Sequence, residues 1–480
     1  MAGRFLRMFE PLSRVMPEVG APERKVGFNE KLFWTALALA LYLVMSEIPL
    51  FGVGKGAGWE LQYLRVIFAS HRGTLMELGI GPIVTAGLIL QLLAGSGIIQ
   101  CDMSDPDDRA LFTSASKFFS LVMIGVQASA YLIGGVYNVG GVGLSPTVSI
   151  FVFLQLLAGG IMVMLLDEMV QKGWGLGSGI SLFIAAGVAQ NIFWDSLGPT
   201  PNMADGKSYG AFITFFQTIA SGQSLSNMIF RVDKDGKVQN LPTMLGFFTT
   251  VIVFLIVIYV EGVRVELPVS YASYRGFRGR YPIKLLYVSN LPVIFASALF
   301  ANIYFISQLL SAHFPNNFWV GLLGQYYTPS GGQPQPSGGL VYYVLPPRNI
   351  LDVLSDPTRA LVFTGIMVTF CVVFSLTWIE VGGLGPRTIA KQLVDSGMQI
   401  PGFRRSGKPI EMVLNRYIPV VTILGGLVVG LIAAVADFFG VFGSGMGVLL
   451  TVGILYQYYQ ILMQERVAEM YPGFRRFLGG

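Results

Sequence analysis

Long apolar stretches alternate with short polar connections along this chain, and Gly and Pro punctuate the connections. A helix of about twenty apolar residues is long enough to cross a hydrocarbon core roughly 30 Å thick. The pattern therefore predicts an all-α polytopic membrane protein with ten transmembrane helices. The predicted spans are 31–50, 78–96, 112–134, 148–168, 179–196, 244–262, 285–311, 358–380, 417–437 and 443–463.

Composition agrees with this class. Hydrophobic residues make up 53% of the 480 residues, charged residues only 12%, and the mean hydropathy is +0.61. A water-soluble protein carries about twice that charged fraction. The chain starts with MAGRFLRMFEPLSRVMPEVGAPERKVG, which is polar and basic, so we expect no cleavable signal peptide.

The distribution of Lys and Arg predicts the orientation. More than two thirds of the 32 basic residues fall on one side if the N-terminus is cytoplasmic, and cytoplasmic connections favour positive charge. Ten spans then place the C-terminus on the same side. The expected regions are a cytoplasmic segment 1–30, a first half 31–196, an external loop 197–243, a second half 244–464 containing the cytoplasmic loops 264–284 and 382–416, and a cytoplasmic tail 465–480.

The ten spans divide five and five around the polar segment 197–243, which suggests an inverted pseudo-repeat. Residue identity between the halves does not by itself demonstrate one. No ionisable residue occupies the middle of a span, which disfavours an ion-coupled solute transporter. Uncharged polar residues do occur there and are expected to bond between helices: Thr85, Gln127, Ser129, Gln155, Asn302 and Ser307.

Catalytic and metal-binding patterns do not emerge from the sequence. The glycine-rich GWGLGSGISLF at 173–183 lacks the Lys-Ser/Thr and the preceding strand of a nucleotide loop, so a flexible turn before span 5 is expected. The two cysteines, Cys101 and Cys371, lie in unrelated segments. We therefore expect no enzyme, no cofactor and no metal. Two aliphatic pairs, Ile80/Val84 and Ile180/Ile184, each lie on one helix face, but such pairs are common in membrane helices.

Four long stretches resemble the SecY family of protein-conducting channels, the α-subunits of the Sec translocon, in its archaeal and eukaryotic form. They are LGIGPIVTAGLILQLLAGSGIIQ (78–100), DEMVQKGWGLGSGISLFIAAGVAQ (167–190), YPIKLLYVSNLPVIFASALFAN (281–302) and GMGVLLTVGILYQYYQ (445–460). The resemblance covers essentially the whole chain. It implies two five-helix halves related by an inverted pseudo-repeat, hinged so that they open laterally between spans 2–3 and 7–8.

The resemblance also implies a set of site residues. An apolar pore ring would consist of Ile80, Val84, Ile180, Ile184, Ile294 and Leu450. A lateral gate would use Thr85, Gln127 and Asn302. The segment WELQYLRVIFA at 59–69 would be the plug helix, with Trp59, Leu61, Leu64, Val66 and Phe68. Basic residues in the cytoplasmic loops would dock the ribosome: Arg275, Arg278, Arg280, Arg404 and Arg405.

The implied function is passage of unfolded secretory polypeptides across the membrane and lateral release of transmembrane segments into lipid. The implied partners are a SecE-like γ-subunit, a small β-subunit, the ribosome (rRNA and protein), signal sequences and nascent polypeptides, membrane lipids and, indirectly, the signal recognition particle receptor. The expected location is the cell membrane. An ion-coupled solute transporter and a non-conducting insertase or scaffold are the alternatives.

Overall fold

The computed structural model describes residues 11, 16–53, 70–71, 73–95, 98–99, 106–134, 136–137, 144–200, 207–222, 231, 241–271, 278–286, 288, 291–314, 317–327, 335–347, 349–396, 398–399 and 407–470. Ten main helices are found in this part of the chain, one for each predicted span. They are α1 Phe28–Glu47, α2 Gly81–Gly95, α3 Pro106–Ile133, α4 Pro146–Met169, α5 Gly179–Leu197, α6 Met244–Gly262, α7 Leu291–His313, α8 Pro357–Val381, α9 Gly407–Phe438 and α10 Gly445–Met470.

Nine of these helices, within the described residues, are long and apolar enough to cross a membrane, and α2 is shorter at 15 residues. The predicted span 2 began at 78, but residues 75–80 form turns, so the helix starts at Gly81. The predicted span 7 began at 285, whereas α7 starts at Leu291 with Pro292 in its first turn. Proline fits there because the first N–H groups of a helix have no intrahelical acceptor.

Short elements lie between the main helices. Five short helices are Ala211–Ala220, Phe318–Leu323, Leu340–Val344, Ile350–Ser355 and Pro386–Asp395. The strands are β1 Arg264–Tyr271, β2 Arg278–Lys284, β3 Gln325–Tyr327, β4 Gln335–Gly338 and β5 Met398–Gln399. A π-helical turn, Val170–Trp174, continues α4 before the glycine-rich turn that leads into α5.

The two halves pack their helices in the same way. In the first half the contacting pairs are α1–α4, α1–α5, α2–α3, α3–α4 and α4–α5, and the second half pairs α6–α9, α6–α10, α7–α8, α8–α9 and α9–α10. Each of these second-half pairs is a first-half pair advanced by five helices, and α7 additionally contacts α9 and α10. Since five is odd, equivalent helices cross the membrane in opposite directions, which makes the repeat an inverted one.

The repeat is also visible in the sequence when the helices of the two halves are matched in this order. Residues 157–184, from α4 into α5, align without a gap with residues 423–450, from α9 into α10. The identical pairs are Gly159/Gly425, Gly160/Gly426, Val163/Val429, Leu165/Leu431, Gly177/Gly443, Ser178/Ser444 and Gly179/Gly445. Ile184 and Leu450 occupy equivalent positions in this alignment.

The glycines of the repeat permit close helix approach. A Cβ on Gly425 would lie 2.5 Å from the carbonyl oxygen of Leu285, just before α7, and one on Gly159 would overlap the carbonyl oxygen of Leu75, before α2. In both halves, therefore, the fourth helix passes directly over the segment that leads into the second helix.

The described parts of the predicted loops 264–284 and 382–416 form one compact unit with the adjoining ends of α8 and α9. Strands β1 and β2 make an antiparallel hairpin, and β5, which comes from the second loop, pairs with β1 through Ser270 and Gln399. This unit has a hydrophobic core of its own, formed by Leu267, Ile283, Val288, Ile379, Ile389, Ala390, Leu393, Ile410, Leu414, Ile418 and Val421. We call it the hairpin platform.

Candidate functional site

The six residues expected in the apolar ring all come from the beginnings of four helices. Ile80 directly precedes α2, and its carbonyl accepts the Val84 N–H at 3.0 Å, which places Val84 one turn further on. The other members lie within the first two turns of their helices, Ile180 and Ile184 in α5, Ile294 in α7 and Leu450 in α10. Two of these helices, α2 and α5, belong to the first half, and α7 and α10 are their equivalents in the second.

These side chains meet in one hydrophobic cluster between the halves. Ile80, Ile184 and Leu450 are fully buried, Val84 is 7% and Ile294 9% exposed, and Ile180 packs against them half-buried. The structure thus brings together residues that are far apart in the sequence. Spacing had singled out only the pairs Ile80/Val84 and Ile180/Ile184.

A pore constriction lined by these six side chains would have a definite chemical consequence. Hydrated ions would have to shed water to pass, and aliphatic side chains offer no replacement ligands. Among the described residues, the buried charged side chains lie at helix ends or in connections rather than at mid-helix: Glu77, Asp108, Asp167, Arg231, Glu261 and Asp437. No group of three or more metal-ligating side chains occurs in the described part of the chain.

The turns that lead into α5 and α10 each contact the fifth helix of the opposite half. Gly177 has a φ of +71° and lies against the ring of Tyr458 in α10, whose hydroxyl donates to the Ser178 carbonyl at 2.9 Å. Gly443, with a φ of +68°, lies against Val188 and Ile192 of α5. Only glycine adopts this left-handed conformation without strain. Helices α5 and α10 are therefore each anchored where they begin.

A polar seam joins α2 to α7 beside the ring. The Asn302 side-chain amide donates to the Thr85 hydroxyl at 3.1 Å and to the Ala298 carbonyl at 2.8 Å. Gln127, the third residue expected here, makes no hydrogen bond with any residue that the structure describes. The seam therefore consists of one hydrogen bond between the halves rather than a three-residue network.

Next to this seam, α3 meets α7 through apolar contacts. The Tyr131 and Phe305 rings stack with their centroids 4.9 Å apart. A groove of about 530 Å³ runs beside them. Its lining is almost wholly apolar: Val122, Gly125, Val126, Ser129, Ala130, Ile133, Phe153 and Leu309.

The hairpin platform carries the one expected docking residue whose side chain can be described. Arg280, on β2, is exposed and pairs with Glu266 of β1 at 2.6 Å. This hydrogen bond and the positive charge of Arg280 hold the pKa of the Glu266 carboxyl below its ordinary value. Lys284 lies over the Tyr456 ring, 5.0 Å from its centroid, and so connects the platform to α10.

Several predicted site residues lie outside the described part of the chain. These are the plug residues Trp59, Leu61, Leu64, Val66 and Phe68, together with Arg275, Arg404 and Arg405. The backbone of Arg278 is described as the first residue of β2.

The sequence did not single out two buried aspartates that lie near the ends of spans. Asp167, near the end of α4, accepts the Ile180 backbone N–H at 2.9 Å, and Asp437, near the end of α9, accepts that of Gly445 at 2.6 Å. Each one caps the beginning of a helix that carries ring residues. The sequence signal that could have identified these caps is the Gly-Ser-Gly that follows each of the two aspartate-bearing spans.

Comparisons with known proteins identify the family of this chain. The SecY family profile matches residues 74–459, and a profile described as the plug domain of Sec61p matches residues 41–73. The protein translocase subunits SecY of Pyrococcus horikoshii and Pyrococcus furiosus are each 44% identical to this chain, with 98% of both chains covered. A solved structure described as that of a protein conducting channel is 39% identical, with a TM-score of 0.81, covering 96% of this chain and 98% of that one.

The fold and the site together define a polytopic helical membrane protein whose two inverted halves meet at a buried hydrophobic cluster. The chain belongs to the SecY family.

Proposed function

We propose that this chain is the pore-forming subunit of a protein translocase, which passes unfolded polypeptides across the membrane and releases hydrophobic segments sideways into lipid. The observation that supports this most is the meeting of six aliphatic side chains from both halves in one buried cluster. Flexible aliphatic side chains can yield to an extended peptide of any sequence and close again behind it. The relatives named protein translocase subunit SecY support the same function.

The ring is tested by replacing Ile80, Ile184 or Ile294 with Asn in protein reconstituted into vesicles. A polar ring lowers the cost of hydrating the constriction, so ion leakage should rise, and signal sequences of low hydrophobicity should be accepted. Ile184→Val, which keeps the ring apolar, is the matched control. Leakage and signal-sequence selection that are the same in all variants would contradict the pore assignment and favour a non-conducting insertase or scaffold.

Lateral release is proposed to occur where α2 and α3 meet α7 and α8. The Asn302–Thr85 hydrogen bond and the Tyr131–Phe305 stack are the contacts that would have to separate. Apolar contacts with an entering hydrophobic segment can replace the ring stack, and their burial in lipid can offset the loss of the single hydrogen bond. Single cysteines along this seam and around the ring should crosslink to a stalled, ribosome-bound nascent chain. Gradient-driven solute uptake without such crosslinks would instead support the transporter alternative.

The segment 59–69 is proposed to act as a plug, since the profile for the plug domain of Sec61p spans it. The hairpin platform is proposed to face the cytoplasm and bind the ribosome through Arg275, Arg278, Arg280, Arg404 and Arg405. One related structure, 39% identical, is described as Sec61 in the canine ribosome-channel complex from the endoplasmic reticulum. Planar, permanently charged guanidinium groups suit contacts with RNA phosphates.

Ribosome binding is tested by charge reversal at Arg275 and Arg278. Affinity should fall, and its dependence on salt should become weaker, because fewer phosphate contacts release fewer counterions. Arg264→Glu, at the opposite end of the hairpin, is the control. An inverted topology with unchanged affinity would mean that these arginines set orientation only.

The proposed complex contains a SecE-like γ-subunit that clamps the two halves and a small β-subunit, and it lies in the cell membrane with both termini cytoplasmic. Signal sequences, nascent polypeptides and lipids are its direct ligands, and the signal recognition particle receptor acts on it indirectly. Co-purification of two small single-span proteins with the tagged chain would test the subunit composition.

A further inference from the structure

Asp167 and Asp437 lie in similar surroundings in opposite halves. Each is 7% exposed, lies near the end of the fourth helix of its half, and accepts a backbone N–H at the beginning of the fifth. The first N–H groups of a helix have no acceptor inside the helix. Each aspartate oxygen accepts one of these N–H groups in a hydrogen bond, which is stronger away from water.

The two aspartates are not equivalent positions of the repeat. Asp167 aligns with Ala433, and Asp437 aligns with Gln171, one helical turn further along. Gln171 in turn donates its side-chain amide to Asp167 at 2.7 Å and so orients that carboxylate. Two different positions thus supply the same contact to equivalent turns, so the contact does not follow merely from the shared backbone.

The capped turns control where the ring residues lie. Ile180 is itself a ring residue, and its own N–H is bound by Asp167; Ile184 follows one turn later. In the other half, Gly445 is bound by Asp437, and Leu450 lies within two turns. Each residue adds 1.5 Å along a helix, so all three ring side chains lie within about 10 Å of a cap along the axis.

The caps also lie on opposite sides of the ring. Helices α5 and α10 are five spans apart and therefore cross the membrane in opposite directions, and they pack against each other. Their beginnings consequently approach the ring from its two faces. We propose that Asp167 and Asp437 are a matched pair of positioning residues that hold the aliphatic ring closed, an inference that rests on the proposed channel function.

The test compares Asp167→Ala and Asp437→Ala with Asp167→Asn and Asp437→Asn, in full-length protein reconstituted into vesicles. Asn keeps a carbonyl oxygen that can accept the backbone N–H, whereas Ala removes it. We expect the Ala variants to leak ions about tenfold faster, the shift that a lost helix cap gives to a two-state equilibrium, and the Asn variants to stay within about twofold of the wild type. The Ala variants should also translocate chains with weakly hydrophobic signal sequences.

Glu261→Ala is the matched control. Glu261 is also 7% exposed and lies near the end of a span, but it caps neither α5 nor α10. If an Ala variant fails to accumulate in the membrane, Ser at the same position, whose oxygen is one bond closer to the backbone than the carboxylate oxygens, takes its place. Leakage no greater than that of Glu261→Ala, or equal leakage of Asn and Ala variants, would overturn the proposal. A wild-type protein that translocates nothing would instead count against the proposed function itself.

Discussion

The Gly-Ser-Gly turn before α5 and its counterpart before α10 have the same three residues but different hydrogen bonds. Ser444 has a φ of 67°, and its hydroxyl accepts the Gly447 N–H at 3.1 Å, capping α10. Ser178 is extended, with a φ of −115°, and makes no side-chain cap. What the two turns share is the glycines and the bond to an aspartate. The repeat has therefore kept the position of each helix start and not the detailed bonding around it.

Further from the ring the halves differ more. The first half carries an ion-pair cluster at the end of α4, in which Glu168 bonds Lys117 at 2.9 Å and Lys172 at 3.0 Å. The second half instead carries the hairpin platform with its separate core. Packing around a closed constriction tolerates little change in volume, whereas surface connections tolerate much. The comparison thus separates a ring region, where the halves agree, from surface regions where they do not.

The largest expected effect is at Gly159 and Gly425. It tests whether the two halves pack in the same way near the ring. Alanine at either position places a methyl group against a backbone carbonyl, so we expect each variant to lose about 1–3 kcal/mol of stability. Thermal unfolding in detergent measures the loss. Gly87→Ala in α2 and Gly365→Ala in α8 are the controls, because a Cβ there meets nothing within 4 Å. Those two should be neutral or gain up to about 1 kcal/mol from helix propensity.

Equal losses at both glycines would support equivalent packing in the halves. A loss in one half with tolerance in the other would mean that the gapless alignment of 157–184 with 423–450 does not reflect a shared constraint.

A smaller effect is expected at the seam between the halves. Asn302→Ala removes the hydrogen bond to Thr85, and such bonds between membrane helices contribute about 0.6 kcal/mol on average. The hydrophobicity that a signal sequence needs should fall slightly, as measured by translocation of a graded signal-sequence series. Gln127→Ala is the matched control, since Gln127 makes no hydrogen bond within the described residues. An equal shift for both variants would indicate that Gln127 joins the seam in another state of the protein.

Much of this architecture could be predicted from the sequence, for physical reasons. Apolar stretches near twenty residues marked the ten spans because a bilayer leaves the backbone few alternatives to helix. The resemblance singled out the ring residues, and the structure places all six in one cluster. The hairpin platform was predicted only as two separate loops, because the pairing of Ser270 with Gln399 is a long-range contact that local pattern does not encode.

The aspartate caps were missed for a different reason. Asp167 and Asp437 have the pattern of ordinary residues at span ends, and only the three-dimensional structure reveals which N–H each one accepts. The inverted repeat was expected from the five-and-five division of the spans, but residue identity did not demonstrate it, because most of the identities are glycines, which are frequent in membrane helices.

The smallest expected effect concerns the platform. Arg280 lowers the pKa of Glu266, so the pair stabilises the hairpin above the unfolded carboxyl pKa of about 4.3, and this stabilisation is lost as the pH falls through the lowered value. Both side chains are exposed, so the effect should be slight. Hydrogen exchange of β1 and β2, corrected for intrinsic rates, should show protection that is constant above about pH 5 and falls below it. Arg280→Gln should remove that dependence without changing ion leakage, because the exposed Arg280–Glu266 pair lies outside both the platform core and the ring cluster. A change in leakage would show that the platform and the ring are coupled.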